Sequence, residues 1–258
     1  MTEQQSTPTS FSLRSLSKRF GPRTAVDNLS LDVPRGSMFG LLGPNGAGKT
    51  TTLSMATGLL RPDSGTAFVL GRDVWQDPVA AKAAMGVLPE ASQLFDRLTG
   101  RELLRYSGLL RQMPPADVAQ RTDELLDALG MTDAANKLVV DYSSGMTKKI
   151  GLATALIHAP GLLVLDEPFE SVDPVSGETI RSILKSYVAG GGTVVLSSHV
   201  MELVENLCDH VAIMAEGRVL SAGTLDEVRG GAGLQQKFLD LVGVHQLGEG
   251  SLAWLRSS

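Results

Sequence analysis

The sequence predicts an α/β domain with a largely parallel sheet, an antiparallel β layer near the N-terminus and an inserted helical segment. Three observations support this prediction. From residue 38 onward, short apolar segments alternate with helical ones, which is typical of parallel βαβ units. Residues 11–33 alternate apolar and polar side chains, as half-buried strands do. Residues 95–158 show helical spacing of apolar residues and form the inserted segment.

The N-terminal elements follow in order along the chain. Residues 1–9 are polar and predict a disordered tail. After the antiparallel strands, a turn leads to a buried strand at Met38–Leu42, and a short helix begins at Lys49 and ends near Gly58. A second turn, RPDSG, precedes a strand at residues 66–70.

The rest of the chain continues the alternation. Thr99 and Glu102 have the spacing of a capping box, and Gly130 is a helix stop signal. Further strands are predicted at residues 162–165, 193–197 and 211–214. Residues 10–224 form the main domain, and residues 225–258 form a helical extension with two short helices around the RGGAG segment.

Composition excludes several functional classes. The 258 residues are 43% hydrophobic and 20% charged, with a net charge of −5 and no Lys/Arg-rich run, which argues against broad electrostatic binding to nucleic acid, with a local basic patch as the alternative. The single cysteine, Cys208, lies in an apolar-periodic segment that predicts a buried helix position rather than a nucleophile. Because there is no signal-peptide pattern or long apolar run, we expect a cytoplasmic chain whose membrane role depends on a partner.

A glycine-rich loop after the strand at Met38–Leu42 carries the clearest chemical signal. GPNGAGKTT fits the G-x-x-x-x-G-K-S/T pattern, in which backbone N–H groups and a helix N-terminus bind phosphate. Lys49 would reach the terminal phosphates, and the Thr50 hydroxyl would bind Mg²⁺. The predicted nucleotide-binding residues are Gly43, Pro44, Asn45, Gly46, Ala47, Gly48, Lys49, Thr50 and Thr51. The sequence therefore predicts a P-loop NTPase core.

Two adjacent carboxylates end the apolar strand in GLLVLDEP. Asp166 would hold Mg²⁺, directly or through water, and Glu167 would orient the attacking water or act as general base. The alternative is a pair of solvated carboxylates at a strand end. His199, in VVLSSHV, also follows a predicted strand, where ligand sites of parallel sheets gather, although a histidine there is often structural.

Other phosphate-loop enzymes lack support in the sequence. A GTPase would need N-K-x-D, and the Asn-Lys pair at Asn136 is followed by no aspartate at that spacing. No acceptor site or lid of a small-molecule kinase is evident.

A second anion-facing helix start lies about a hundred residues after the loop. The stretch DYSSGMTKKIGLA, residues 141–153, combines small residues with Lys148 and Lys149. Taken alone, its Ser143 predicts an ordinary helix cap.

Together these motifs resemble the ATP-binding subunits of ABC transporters over about residues 10–224. GPNGAGKTT corresponds to Walker A, LLVLDEP to Walker B, YSSGM to the signature and His199 to the switch histidine. The resemblance implies that two subunits, here expected to be a homodimer, pack head to tail. The signature of one subunit then completes the ATP site of the other, through Ser143, Ser144, Gly145 and Met146.

The resemblance also implies further roles. Phe20 matches the aromatic residue that stacks on adenine, although a strand core residue is the alternative, and Asp173 matches a loop that contacts the other subunit. Glu90 replaces the usual glutamine beside the metal and the transmembrane partner. The implied cofactors are ATP and Mg²⁺, with His199 contacting the γ-phosphate.

The departures from the usual LSGGQ signature resemble one branch of the family. LPE, a signature ending in Gly-Met, and EPFE…DP are similar to stand-alone subunits of drug, polysaccharide or other exporters with a separate permease. The resemblance thus implies an ATPase subunit of an exporter, held by its permease at the inner face of the cell membrane. The alternatives are a soluble ABC ATPase, for example in cofactor assembly, and a degenerate nucleotide-binding subunit, against which Glu167 and His199 argue.

Overall fold

Two β-sheets organise the chain in the computed structural model, which describes residues 8–89 and 94–243. The first sheet is antiparallel and has the strand order β2-β1-β4-β5. Its strands are β1 (Thr9–Phe20), β2 (Arg23–Pro34), β4 (Ser64–Val69) and β5 (Arg72–Asp73). The alternating pattern of residues 11–33 therefore forms a hairpin, as the sequence predicts.

The second sheet has six strands in the order β10-β9-β3-β8-β7-β6. The strands from β9 to β6 are parallel, and β10 is an antiparallel edge. Their ranges are β3 (Met38–Leu42), β6 (Met85–Leu88), β7 (Leu162–Leu165), β8 (Thr193–Ser198), β9 (His210–Ala215) and β10 (Arg218–Thr224). Because β3, β7 and β8 are adjacent, their carboxyl ends meet at one edge of the sheet.

Nine α-helices in the described residues connect and cover the strands. Helices α3 (Gly100–Leu110), α4 (Pro115–Ala128) and α5 (Ser144–Leu156) form the inserted helical segment, which has an apolar core of its own. In the described ranges, no helix is both long and apolar enough to cross a bilayer. The helices are α1 (Lys49–Ala56), α2 (Pro78–Ala83), α3 (Gly100–Leu110), α4 (Pro115–Ala128), α5 (Ser144–Leu156), α6 (Pro174–Ala189), α7 (Met201–Leu207), α8 (Leu225–Arg229) and α9 (Leu234–Val242).

The parallel sheet separates two apolar cores. Along β7, Leu162 and Val164 pack into the core shared with the antiparallel sheet, whereas Leu163 and Leu165 pack against the helices on the opposite face. This division follows from the two-residue period of a strand, and it explains why β7 is apolar at every position. The carboxylates after β7 are therefore anchored by a fully buried strand.

The structure confirms the predicted fold class and most of the predicted elements. The capping box of Thr99 and Glu102 is present, with both reciprocal hydrogen bonds. Two of the predictions are wrong in detail. Thr9, in the predicted tail, is the first residue of β1 and pairs with Pro34. Cys208 caps the end of α7 instead of lying within a helix.

The sequence does not predict strands β6 and β10. β6 has only four residues, and its Gly86 is a poor strand former, but a Cβ there would lie 2.1 Å from the Ala155 carbonyl oxygen of α5. Gly86 thus lets α5 pack directly on the sheet. β10 lacks an apolar signal because its residues are exposed or only partly buried.

Candidate active site

The glycine-rich loop connects the end of β3 to α1 and is fixed by backbone contacts. Gly43 N donates to Ser198 O in β8 (3.3 Å), and Gly217 N donates to Ala47 O (3.0 Å). Gly48 has φ 99°, and a Cβ there would lie 2.4 Å from the Ala25 carbonyl oxygen. Gly48 is therefore required both by its left-handed backbone conformation and by the close contact with Ala25, which leaves no room for a Cβ.

Lys49 turns back over this loop toward the end of β7. Its Nζ donates to Gly43 O (2.7 Å) and lies 3.4 Å from Glu167 Oε1. Both side chains are buried, with 6% and 8% exposure. A buried charge is stable only when it is paired and hydrogen-bonded, so Lys49 and Glu167 form one charged unit. Both side chains line the cavity above the loop, where a bound phosphate would add negative charge beside Lys49.

Glu167 also contacts His199, which follows β8. His199 Nδ1 lies 3.1 Å from Glu167 Oε1, and the histidine side chain is 39% exposed. A carboxylate can only accept, so Nδ1 is the protonated nitrogen in this contact, and Nε2 remains directed away from Glu167. Lys49, at the start of α1, and His199, after β8, thus both contact the same carboxylate oxygen of Glu167.

Ser197 holds the backbone that carries the two carboxylates. Its buried Oγ donates to Asp166 Oδ1 (2.5 Å) and accepts from Glu167 N (2.9 Å). Glu167 has φ 46°, a left-handed conformation that costs free energy in a residue with a side chain. Ser197 therefore fixes both the direction of Asp166 and the turn in which Glu167 sits.

Thr50 and Asp166 line one cavity of about 170 Å³, together with Leu88 and Pro89. Hydroxyl and carboxylate oxygens are ligands that Mg²⁺ accepts, so this pair fits the predicted ion. No group of three or more His, Cys, Asp or Glu side chains in the described ranges could hold a metal by itself. An ion here would need phosphate oxygens or water to complete its shell. Glu90, the other predicted metal contact, lies outside the described residues.

A larger cavity of about 460 Å³ opens above the loop. Residues 45–51 line it together with Phe20, Arg23, Ala25 and Glu167. The Phe20 ring is 49% exposed, and Lys18 Nζ lies 5.9 Å from its centroid. Phe20 is thus a surface aromatic at the cavity wall and not a strand core residue, as stacking on a base requires.

The signature stretch begins α5 elsewhere on the chain. Ser143 is the N-cap residue, and its side chain accepts from Met146 N (3.3 Å). Ser144 is exposed, whereas Gly145 is buried, and a Cβ on Gly145 would lie 2.7 Å from Asp173 Oδ2. Residues 143–146 are not among those that line the 460 Å³ cavity. Within one chain the signature residues therefore do not form part of the cavity above the loop.

Comparison with known proteins identifies the family. The family model described as ABC transporter matches residues 26–170, which include the loop, the signature and both carboxylates. The chain belongs to the ABC transporter family. The fold of this ABC transporter chain is similar to that of a solved structure titled "Structure of ATP binding subunit of ABC transporter". The TM-score is 0.84 and the identity 28%, and the match covers 90% of this chain and 99% of that one.

Two curated relatives of this ABC transporter chain are named for drug resistance and for Nod factor export. The daunorubicin/doxorubicin resistance ATP-binding protein DrrA of Streptomyces peucetius is 38% identical over 84% of this chain and 66% of its own length. The Nod factor export ATP-binding protein I of Cupriavidus metallidurans is 39% identical over 84% of this chain and 71% of its own. The matched part of the chain thus spans about two thirds of the length of DrrA and slightly more of the Nod factor export protein.

Asp173, His158 and His210 each have a hydrogen-bond partner within the ABC transporter chain. Asp173 caps α6, and the hydrogen bond from Ser176 N lowers the pKa of its carboxyl. His158 Nε2 bonds to Met85 O, and burial lowers its pKa to about 4. Burial raises the pKa of the Cys208 thiol, which disfavours the nucleophilic thiolate. His210 pairs with Asp209 at the opposite end of the sheet, and His245 lies outside the described residues.

The sequence alone does not indicate that Ser197 and Lys148 hold the Glu167 backbone. Ser197 stands two residues before His199 in VVLSSHV, and a polar residue at the end of an otherwise apolar strand is the signal that could have found it. Lys148 Nζ donates to Glu167 O (2.9 Å), across a sequence separation that no local pattern spans.

Proposed function

We propose that the chain is an ATPase subunit in which Glu167 orients the water that attacks the γ-phosphate of ATP. The convergence of Lys49, Glu167 and His199 carries this proposal. In the reaction, the oxygen of water bonds to the γ-phosphorus, and the bond to the bridging oxygen of ADP breaks. The carboxylate of Glu167 is the group that can accept the proton of this water.

The other residues of the site have distinct roles in this proposal. Binding of ATP phosphates draws Lys49 from Glu167 toward the phosphates, because the helix start and the lysine form one positive surface. Glu167 then keeps its contact with His199 and is available to water. Thr50 and Asp166, with Glu90, would hold Mg²⁺, which neutralises charge on the phosphate oxygens. Phe20 would stack on adenine at the mouth of the cavity.

A complete ATP site requires a second subunit in this proposal. The cavity above the loop is open to solvent, and residues 143–146 of the same chain do not line it. Two copies packed head to tail would bring the signature of one copy to the ATP of the other. Asp173, beside the signature glycine, would then lie near the contact between the copies.

We further propose that this ATPase powers export through a separate permease. The support is the similarity to proteins named for drug resistance and Nod factor export. Because no helix of the described residues can cross a bilayer, association with a permease at the cytoplasmic face of the membrane would provide the link. ATP-driven closing and opening of the dimer would move the permease between its two orientations.

The decisive experiment compares Glu167→Gln with Glu170→Gln, the same substitution at an exposed residue three positions away. We expect Glu167→Gln to bind ATP and to turn over at least ~10²-fold more slowly, because general acid–base groups contribute about 10²–10⁴-fold. Light scattering should show an ATP-dependent dimer of Glu167→Gln. Near-normal turnover of this variant would remove Glu167 from its role.

Purification of Glu167→Gln from native membranes tests the transport proposal separately. Co-purification of a polytopic membrane protein would support it. Recovery of soluble partners alone would favour an ABC ATPase that acts outside transport.

A further inference from the structure

Lys148 lies in α5, the helix that begins with the signature, and its ammonium group forms a hydrogen bond within the same chain. It lies in the first turns of α5, five residues after the N-cap Ser143, where a lysine could face a bound anion. Its Nζ instead donates to the Glu167 carbonyl oxygen at 2.9 Å. A hydrogen bond from an ammonium group is stronger than one between neutral groups, so this contact is a substantial restraint on the Glu167 backbone.

The Glu167 backbone needs such a restraint. Its φ of 46° is disfavoured for a residue with a side chain, and such conformations persist only where the surroundings hold them. Ser197 Oγ binds the Glu167 N–H from β8, and Lys148 Nζ binds the Glu167 carbonyl from α5. The direction of the carboxylate therefore depends on two elements, and one of them is the signature helix.

The start of α5 also packs directly on the segment that follows Glu167. The position of a Cβ on Gly145 would be 2.7 Å from Asp173 Oδ2 and 2.9 Å from Ser176 Oγ, which leaves no space between α5 and the start of α6. Lys148 and Gly145 are on the same two turns of α5. The signature turn and the segment 167–173 are thus joined at both ends.

We propose that Lys148 is a positioning residue that couples the signature turn to Glu167 of the same chain. ATP held in the loop of the opposite subunit would contact Ser143 and fix the position of α5. Lys148, less than two helical turns after Ser143, would then hold the Glu167 backbone in place through its hydrogen bond to the Glu167 carbonyl oxygen. Each subunit's catalytic carboxylate would then respond to the nucleotide of its partner's site. This inference rests on the proposed ATPase function and on the proposed head-to-tail dimer.

Steady-state ATP hydrolysis by the full chain tests the coupling. We expect Lys148→Met to lower kcat about 10- to 100-fold, as loss of a hydrogen bond to a charged group does, with KM for ATP changed less than about threefold. Lys148→Arg keeps a charged donor and should recover most of the lost rate. Lys185→Met, at an exposed lysine of α6, is the matched control and should behave as the wild type.

A second measurement without nucleotide tests the contact itself. Hydrogen exchange of peptides that cover residues 166–172 should be faster in Lys148→Met than in the wild type and near wild type in Lys148→Arg. If Lys148→Met does not fold, Lys148→Gln, which keeps a neutral donor, takes its place in both measurements. Unchanged exchange, or a kcat loss that Lys148→Arg does not recover, overturns the inference.

The two measurements separate this inference from the proposed function. If Glu167→Gln hydrolyses ATP as fast as the wild type, the proposed role of Glu167 is refuted, and the contact with Lys148 then has no role in catalysis. Hydrogen exchange would still decide whether Lys148 restrains the Glu167 backbone. An active wild type with an unaffected Lys148→Met rate would refute the coupling alone.

Discussion

Ser197→Ala should lower both the free energy of unfolding and the rate of ATP hydrolysis, because Ser197 holds the two carboxylates that follow β7. The substitution removes the hydroxyl that donates to Asp166 and accepts from Glu167 N, and Ser197 is completely buried. A hydrogen bond to a charged group is worth about 1.5–3 kcal/mol, and a buried N–H left unpaired costs about 1–3 kcal/mol. Because the two bonds share one oxygen and are not independent, we expect a combined loss of about 2–4 kcal/mol.

Ser198→Ala provides the control in the next position of β8. Ser198 is as buried as Ser197, but its Oγ accepts one hydrogen bond, from Val200 N at 3.0 Å. We expect a loss of about 1 kcal/mol for this variant. Urea unfolding measures both losses, and ATP hydrolysis should fall at least tenfold in Ser197→Ala and less than about threefold in Ser198→Ala. Equal losses of stability in the two variants would refute the reasoning.

Two further predictions concern other parts of the chain. Gly145→Ala should destabilise the nucleotide-free monomer by about 1–3 kcal/mol in urea, because its Cβ would overlap Asp173 and Ser176; Ser144→Ala, at an exposed position, is the control, and an unchanged Gly145→Ala monomer would contradict the packing argument. Burial lowers the pKa of His158 to about 4, below its unfolded value near 6.5, so the unfolded chain binds the proton first. Stability present above pH 6.5 should therefore decline as the pH falls toward 4, by about 1–2 kcal/mol between pH 7 and pH 5 for a partly solvated group. Thermal unfolding of His158→Gln should lack this contribution, and equal pH dependence in both proteins would assign it to other groups.

The fold and the motif residues were accessible from the sequence because their signals are local. A buried strand followed by glycines and Lys49 predicts a phosphate loop, and LLVLDEP predicts both a strand and its terminal carboxylates. The predicted signature also begins a helix, as its Ser143 suggests. These predictions need only the order of neighbouring residues.

The missing parts of the site depend on contacts between distant segments. Ser197 reaches Glu167 because β8 pairs with β7, and Lys148 reaches the same residue because α5 packs beside that strand end. The sequence also gives no indication that Lys49 pairs with Glu167. Strand order and helix docking create these contacts, and neither follows from local residue patterns.

The strand order has a consequence for synthesis on the ribosome. β3, which leads into the phosphate loop, has β8 and β9 as its neighbours, and all five of its residues are buried. An emerging chain therefore carries this apolar segment for about 8–30 s before β8 follows, at a translation rate of about 5–20 residues per second. Through that interval the strand has neither of its native neighbours, so its apolar side chains are open to a chaperone or to other unfolded chains.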